Sequence, residues 1–159
     1  MRTISNNSFF QNKKAYLMKY RLLAKKAERT ARKLDQAELE LITLKSPSFN
    51  DLPKTTARIT LDDKIARKEQ LEDQFKREIK QAGKKRSEIY ELIDGLDNQK
   101  QAVVLDQYFI QQKTLEAIAD DMHYSISYIK KLYKQGIETI TIKEFGGGDN
   151  AKTIDRKES

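Results

Sequence analysis

The stretch KSPSFNDLPKTTARIT, residues 45–60, decides the fold, because it contains both prolines of the chain and a cluster of Ser, Thr, Asn and Asp. Residues of these types are typical of a loop and end the helices on either side of it. The flanking segments contain no further proline, and their apolar residues recur at spacings of three and four. That spacing indicates amphipathic helices. The pattern therefore predicts two long helices joined by a loop over residues 46–59.

The segment before the loop carries a sustained heptad pattern. Its register residues are Tyr16, Tyr20, Leu23, Ala27, Thr30, Leu34, Ala37 and Leu41. After the loop, the same rhythm is followed by Leu61, Ile65, Phe75, Ile79, Ala82, Ile89, Ile93 and Leu96. Thr60 is expected to cap the second helix, with Asp62 and Asp63 in its first turn.

Two such helices most simply form an antiparallel hairpin over residues 12–96. Residues at equal sequence distance from residue 52 then face each other. Packing of these helices against a second chain, as a two-chain coiled coil, is the arrangement left open.

The composition favours an all-α protein. Of its 159 residues, 35% are charged and 38% hydrophobic, with 6 Gly, no Trp and no Cys. So low an apolar fraction suits long helices and a small packed unit better than one large core. Residues 1–11 are rich in Asn and Ser, and residues 143–159 are polar and contain three glycines. We expect both ends to be disordered.

Several function classes are excluded by what the sequence lacks. Without Cys there is no disulfide scaffold, thiol nucleophile or thiolate metal site, and His123 is the single His. No phosphate-binding glycine loop or metal-ligand spacing is present, so we expect no catalytic residue, no metal and no cofactor. No apolar stretch is long enough for a membrane span. The expectation is a cytoplasmic protein, not an enzyme, without a membrane partner.

Residues 97–142 predict short capped helices. Asp97 begins the first of them, and Thr114 can cap a second, LEAIADDM. A tight turn follows at His123 and Tyr124, and Ser125 can cap a third helix with basic residues on its outer side. This order is that of a helix-turn-helix domain.

The stretch VLDQYFIQQKTLEAIADDMHYSISYIKKLYKQGIETI resembles region 4 of bacterial sigma factors. It is especially similar to phage-encoded transcriptional regulators that attach such a module to an N-terminal helical hairpin. The positions that match the family string are Val104, Leu105, Thr114, Ile118, Ala119, Met122, Tyr124, Ser125 and Ile129. Gln112 and His123 stand where the family favours glycine at a turn, and Ile126 where a polar, base-facing residue is common.

The resemblance implies a sequence-specific DNA-binding regulator of phage or prophage genes in a bacterial host cell. It implies an activator that reads promoter DNA and touches the host RNA polymerase. Base contacts fall to Ser125, Ser127 and Tyr128, with packing left open for Tyr128. Phosphate contacts fall to Lys130, Lys131, Lys134 and Thr114, and Tyr124 is expected in the core of the turn.

The net charge of +7 lies outside this module. Residues 12–34 hold nine basic residues against Glu28, and residues 76–86 hold six against Glu78. The hairpin is expected to bring the two runs side by side and to grip DNA phosphates. The candidate phosphate contacts are Lys19, Arg21, Lys25, Lys26, Lys80, Lys84, Lys85 and Arg86.

Two other functions fit the same sequence. A small DNA-packaging terminase subunit also combines a helix-turn-helix with a coiled coil. A protein–protein adaptor would dock on host RNA polymerase. For the activator, the candidate contact with the polymerase is the acidic face of residues 97–121, with Asp97, Asp106, Glu116, Asp120 and Asp121. The DNA target, the direction of regulation and homodimer formation stay open.

Overall fold

The described part of the chain is helical. In the computed structural model, the backbone is described for residues 2–44 and 54–142, and the side chains for residues 7–44 and 60–142. These ranges contain five α-helices and a π-helix: α1 Arg2–Leu44, α2 Lys54–Asp94, α3 Gln99–Leu105, the π-helix Asp106–Ile110, α4 Leu115–Met122 and α5 Ile126–Thr139. Helices α1 and α2 pack against each other. The predicted all-α class, a long antiparallel hairpin followed by a small helical domain, is confirmed.

The alignment of the two long helices matches the expected register. The Lys64 ammonium lies 2.7 Å from a carboxylate oxygen of Glu40, and these residues are equally far in sequence from residue 52. The same holds for Gln74, whose amide nitrogen lies 3.4 Å from the Thr30 hydroxyl oxygen. It holds again for Tyr16 and Glu88, joined by a hydrogen bond of 3.0 Å.

The seam of α1 follows the predicted residues, whereas that of α2 departs from them. Tyr16, Ala27, Thr30, Ala37 and Leu41 are buried. Tyr20, Leu23 and Leu34 are half-buried.

On α2, the prediction that Ile65 and Ile79 lie in the seam is wrong, because both are exposed. Leu71 and Glu78 are buried instead. Glu78 is accepted there because hydrogen-bond donors from α1 and from its own helix surround its carboxylate.

Three predicted boundaries also differ. Residues 2–11 are helical rather than disordered, and Phe10 packs on a hydrophobic core. Thr60 lies inside α2 rather than at its N-cap, since residues 54–60 contain no Gly or Pro that would interrupt a helix. Helix α3 begins at Gln99, after the N-cap Asn98, two residues after the predicted start at Asp97. The rest of the expected loop and the tail 143–159 lie outside the described residues.

Contacts divide the chain into two compact units. The hairpin unit consists of residues 22–84, and the terminal unit of residues 1–21 with 85–159. The core of the terminal unit includes Leu17, Ile89, Leu105, Phe109 and Ile129, all fully buried. Along residues 2–44 and 54–142, no helix combines the length and apolar character needed to cross a membrane.

A residue with left-handed backbone angles lies on each side of α4. Gln112 precedes α4 with φ 60°, and His123 follows it with φ 59°. Glycine adopts such angles freely, and residues with a Cβ atom adopt them rarely. The His123 turn is stabilised because the Tyr124 amide donates to the Ala119 carbonyl at 3.0 Å.

Helices α3 and α5 approach closely at Gly136. A Cβ atom built at that position would lie 3.0 Å from Leu105 Cδ1 and 3.4 Å from Gln101 Cβ. A larger residue would therefore force the Leu105 side chain to shift.

Candidate nucleic-acid interface

Helix α5 separates a buried face from a charged one. Ser125 is its N-cap, and the Ser125 hydroxyl oxygen accepts a hydrogen bond of 3.2 Å from the Tyr128 amide. The inner face is buried through Ile129, Leu132, Tyr133, Gly136 and Ile137. The outer face exposes four predicted site residues, Ser127, Lys130, Lys131 and Lys134. The cap and the buried face together fix which residues of α5 face solvent.

Ile126 belongs to the inner side of the first turn. It is half-buried and packs against the hydrophobic core of the terminal unit. An apolar side chain is suited to that position.

Thr114 is the N-cap of α4, as Ser125 is of α5. The Thr114 hydroxyl oxygen accepts a hydrogen bond of 3.1 Å from the Ala117 amide, and the residue is exposed. In both caps the hydroxyl acts as acceptor, so its own hydrogen can still be donated. A helix N-terminus also carries a partial positive charge. Both predicted caps are confirmed, and both are suited to binding an anion.

Two tyrosines form an exposed aromatic pair beside the Ser125 cap. The rings of Tyr124 and Tyr128 meet edge to face, with centroids 4.9 Å apart. Tyr124 is 38% exposed, so the prediction that it lies in the core of the turn is wrong. Its ring packs against Tyr128 instead, which is half-buried.

Lys100 joins this pair from α3. Its ammonium lies 5.4 Å from the centroid of the Tyr124 ring. Interaction with Tyr124, and more weakly with Tyr128, raises the pKa of Lys100 above its ordinary value. The sequence gives no signal for Lys100, because it stands alone among the acidic residues at the start of the domain.

Lys13 contacts the opposite end of α5. Its ammonium donates a hydrogen bond of 2.9 Å to the Glu138 carbonyl, in the last turn. A cation at this end of the helix is stabilising, because it offsets the partial negative charge of the helix C-terminus. Burial lowers the pKa of Lys13, and the charge of Glu138 opposes that shift. This contact ties α1 to the C-terminal end of α5.

Two basic residues of the terminal unit share one tyrosine. The ammonium groups of Lys19 and Lys85 lie 4.9 and 4.7 Å from the centroid of the Tyr16 ring. Lys85 also donates to Glu88 at 2.6 Å, and its side chain is only 17% exposed. The hydrogen bond to Glu88 raises the pKa of Lys85 although burial opposes it. Lys85 is thus engaged inside the protein, whereas Lys19 is exposed.

Arg21 is likewise occupied. Its guanidinium carbon lies 4.8 Å from the centroid of the Tyr108 ring in the π-helix, and its Nε is buried. Tyr108 meets Tyr133 edge to face at 4.9 Å. Burial raises the pKa of Tyr133, and the charge of Arg21 opposes that shift. Arg86 is exposed, with its guanidinium 5.6 Å from the centroid of the Tyr90 ring.

In the hairpin unit, the four candidate phosphate contacts are Lys25, Lys26, Lys80 and Lys84. All four are exposed, and none forms an ion pair with a described side chain. Six of the eight basic candidates are therefore accessible. Lys85 and Arg21 are half-buried, and Glu88 and Tyr108 engage them.

The acidic residues of the terminal unit differ in exposure and in ion pairing. Asp121 pairs with Lys113 at 2.8 Å, and Asp106 is half-buried in the π-helix. Asp97, Glu116 and Asp120 are exposed. Among the described side chains, no group of three or more His, Asp or Glu could hold a metal ion.

One family of related proteins matches the chain. Its description is "Protein of unknown function (DUF1492)", and the match covers residues 43–141, more than half of the chain. No curated protein and no solved structure matches.

Proposed function

We propose that this chain, which belongs to the DUF1492 family of proteins of unknown function, is a sequence-specific regulator of phage or prophage transcription. In this proposal it binds double-stranded DNA with α5 in the major groove. The observation that carries the proposal is the outer face of α5, which presents Ser127 and three lysines next to a capped N-terminus. Helices that read DNA usually contact base edges with their N-terminal residues.

The groups at the start of α5 have suitable chemistry for the groove. Ser127 can donate to or accept from a base edge, and Lys131, one turn further along α5, can donate to a phosphate or to guanine. The Tyr124–Tyr128 pair offers an aromatic edge for apolar contact with thymine methyl groups. The neighbouring Lys100 ammonium is placed to contact a phosphate.

Phosphate contacts would hold the protein on the duplex. Thr114 and Ser125 keep a hydroxyl hydrogen at the N-termini of two helices. The exposed lysines of the hairpin unit, Lys25, Lys26, Lys80 and Lys84, supply charge without sequence preference. Lys19 and Arg86 add to them from the terminal unit.

The direct test is selection of duplexes from a random pool, followed by sequencing. We expect a defined site to be enriched. Ser127→Ala and Lys131→Ala should each weaken binding to that site by roughly 5- to 150-fold, because one good base contact is worth about 1–3 kcal/mol. Gln135→Ala, an exposed change on α5 two turns from the N-terminus, serves as the control. A pool without enrichment would contradict sequence-specific binding.

Adjacent lysines allow a matched test of the phosphate contacts. Lys84 is exposed, whereas Lys85 is held by Glu88. Lys84→Gln should reduce the slope of log affinity against log salt by about one for the lost contact. Lys85→Gln should leave the slope unchanged. Equal slopes for both variants and the wild type would contradict a phosphate contact by Lys84.

The two rival functions are separate outcomes of these measurements. An adaptor would retain host RNA polymerase and fail to retain any duplex at low salt. A small terminase subunit would form a ring oligomer, which sedimentation separates from a monomer or dimer. Activation requires polymerase contact, so an activator should retain both the enriched duplex and the polymerase.

A further inference from the structure

Helix α2 carries a second stripe of residues, outside the seam it makes with α1. Its members follow each other at spacings of three and four, which places them along one side of the helix. We call this the outer stripe, and it consists of Asp62, Ile65, Glu69, Glu72, Lys76, Ile79 and Gly83. All are exposed except Glu72, which is half-buried.

The outer stripe includes two isoleucines whose side chains are partly exposed. Ile79 is 51% exposed and Ile65 is 38% exposed. They are separated by four helical turns, or about 21 Å along the axis. At Gly83, a Cβ atom would meet nothing within 4 Å, so a neighbouring side chain has room there.

The charges of the outer stripe are ordered along the helix. Acidic residues come first, at Asp62, Glu69 and Glu72, and Lys76 follows them. Asp62, Glu69 and Lys76 form no ion pair with any side chain among residues 7–44 and 60–142. Glu72 has only a contact of 3.5 Å with Lys68, one turn away.

At the centre of the stripe, this order of charges is complementary to that of a reversed copy. If two copies of α2 lie antiparallel with a twofold axis between Glu72 and Lys76, Glu72 of each copy lies beside Lys76 of the other. Ile65 of each copy then lies beside Gly83 of the other, and Ile79 lies beside Glu69. A parallel arrangement would place each isoleucine beside its own copy, but it would also place Glu72 beside Glu72 and Lys76 beside Lys76. Closed twofold symmetry is the commonest form of homo-oligomer, and it needs a surface that complements itself.

We propose that the outer stripe binds a second copy of this chain in an antiparallel dimer. The contact is short, and of the two isoleucines per copy one faces Gly83 and the other faces Glu69, so the dimer belongs with small, reversible interfaces. Its charge pairs are exposed to solvent, so added salt weakens it. The proposal goes beyond the proposed function and does not depend on it, because nothing in the stripe is assigned to DNA.

Charge exchange gives the sharpest test. Glu72→Lys and Lys76→Glu should each weaken dimerisation roughly fivefold or more in sedimentation of the full chain, because each replaces two attractive exposed contacts by two like-charged ones. The double variant E72K/K76E should recover wild-type dimerisation, and an equimolar mixture of the two single variants should form a heterodimer. Arg77→Glu, the same charge change one residue away and off the stripe, should behave as wild type. Circular dichroism confirms that each variant keeps its helices.

Two results overturn the proposal. One is a wild-type chain that stays monomeric up to millimolar concentration, which leaves the stripe to solvent or to another partner. The other is a dimer whose affinity none of the stripe variants changes. DNA is absent from both measurements, so their failure is distinct from failure of the proposed function.

Cysteine cross-linking tests the direction of the two helices, because the natural chain has no Cys. A mixture of Ile65→Cys and Gly83→Cys chains should form the mixed disulfide faster than either chain cross-links to itself. Self-cross-linking of Ile65→Cys as the dominant product would indicate a parallel pair and contradict the antiparallel dimer.

Discussion

The Thr30 hydroxyl lies 2.7 and 2.9 Å from the two carboxylate oxygens of Glu78, across the seam of the hairpin unit. Both residues are buried, and Glu78 is only 4% exposed. Gln74 completes the arrangement with a hydrogen bond of 2.8 Å to the same carboxylate. A buried carboxylate is tolerated at this point because its oxygens have donors on both helices.

Removal of the Thr30 hydroxyl should therefore destabilise the hairpin. Thr30→Val keeps the side-chain shape and takes away a donor to a charged group, which is expected to cost about 1.5–3 kcal/mol in unfolding free energy. Thr43→Val is the matched control, because the Thr43 hydroxyl donates only to the Leu39 carbonyl on an exposed turn. Urea denaturation compares the two. Equal effects of both substitutions would contradict the importance of the Thr30–Glu78 contact.

The same carboxylate predicts how stability depends on pH. Burial alone would raise the pKa of Glu78, but the hydrogen bonds from Thr30 and Gln74 and the charges of Lys26 and Lys33 outweigh it. The pKa is therefore below the ordinary value of 4.5. A lowered pKa in the folded state means that the stabilisation is present above pH 4.5 and is lost as the pH falls through the folded-state pKa.

The variant Glu78→Gln isolates this contribution. The difference in unfolding free energy between wild type and variant should shrink as the pH falls from about 6 to about 3. Other carboxylates titrate in both proteins and cancel in the difference. A difference that stays constant over this range would show that Glu78 does not titrate with unfolding.

Two glycines should respond in opposite directions to the same substitution. Gly136→Ala forces Leu105 to move, and overpacking of about 1–3 kcal/mol should exceed the roughly 1 kcal/mol gained in helix propensity. Gly83→Ala meets no atom within 4 Å and should gain about 1 kcal/mol. Thermal unfolding at low protein concentration measures both. Stabilisation by Gly136→Ala would show that α3 and α5 have room between them.

His123 should tolerate glycine and reject a β-branched residue. Its φ of 59° is left-handed, where glycine is unstrained and valine clashes with the backbone. His123→Gly should stay within about 0.5 kcal/mol of wild type or exceed it, whereas His123→Val should lose about 1–2 kcal/mol. Chemical denaturation distinguishes them. Identical stabilities would mean that the turn relaxes to another backbone conformation.

The sequence predicts most of the helices, because strong local signals mark them. Thr114 and Ser125 cap the helices they were expected to cap, and the heptads of α1 identify its buried seam. The alignment of the hairpin follows from the position of the proline-containing loop, as the Lys64–Glu40 pair shows. DNA binding and the roles of the site residues stay predictions.

The rest depends on partners that are distant in the sequence. Hydrophobicity places Ile79 in the seam, but Glu78 is there because Thr30, on the other helix, supplies a donor. The sequence predicts Arg21 as a phosphate contact, but in the structure its guanidinium lies against the Tyr108 ring. Tyr124 matches a core position of the family string, but in the structure it forms an exposed edge-to-face pair with Tyr128.

The two left-handed residues around α4 have a consequence for how this domain can vary in length. The backbone turns at Gln112 and again at His123, on either side of α4. A residue inserted within Leu115–Met122 would rotate the segment after α4 by about 100° relative to the segment before it. The cap at Thr114 and the start of α5 would then no longer point as they do. Insertions in natural variants should therefore fall outside α4, and its eight residues should stay constant in number.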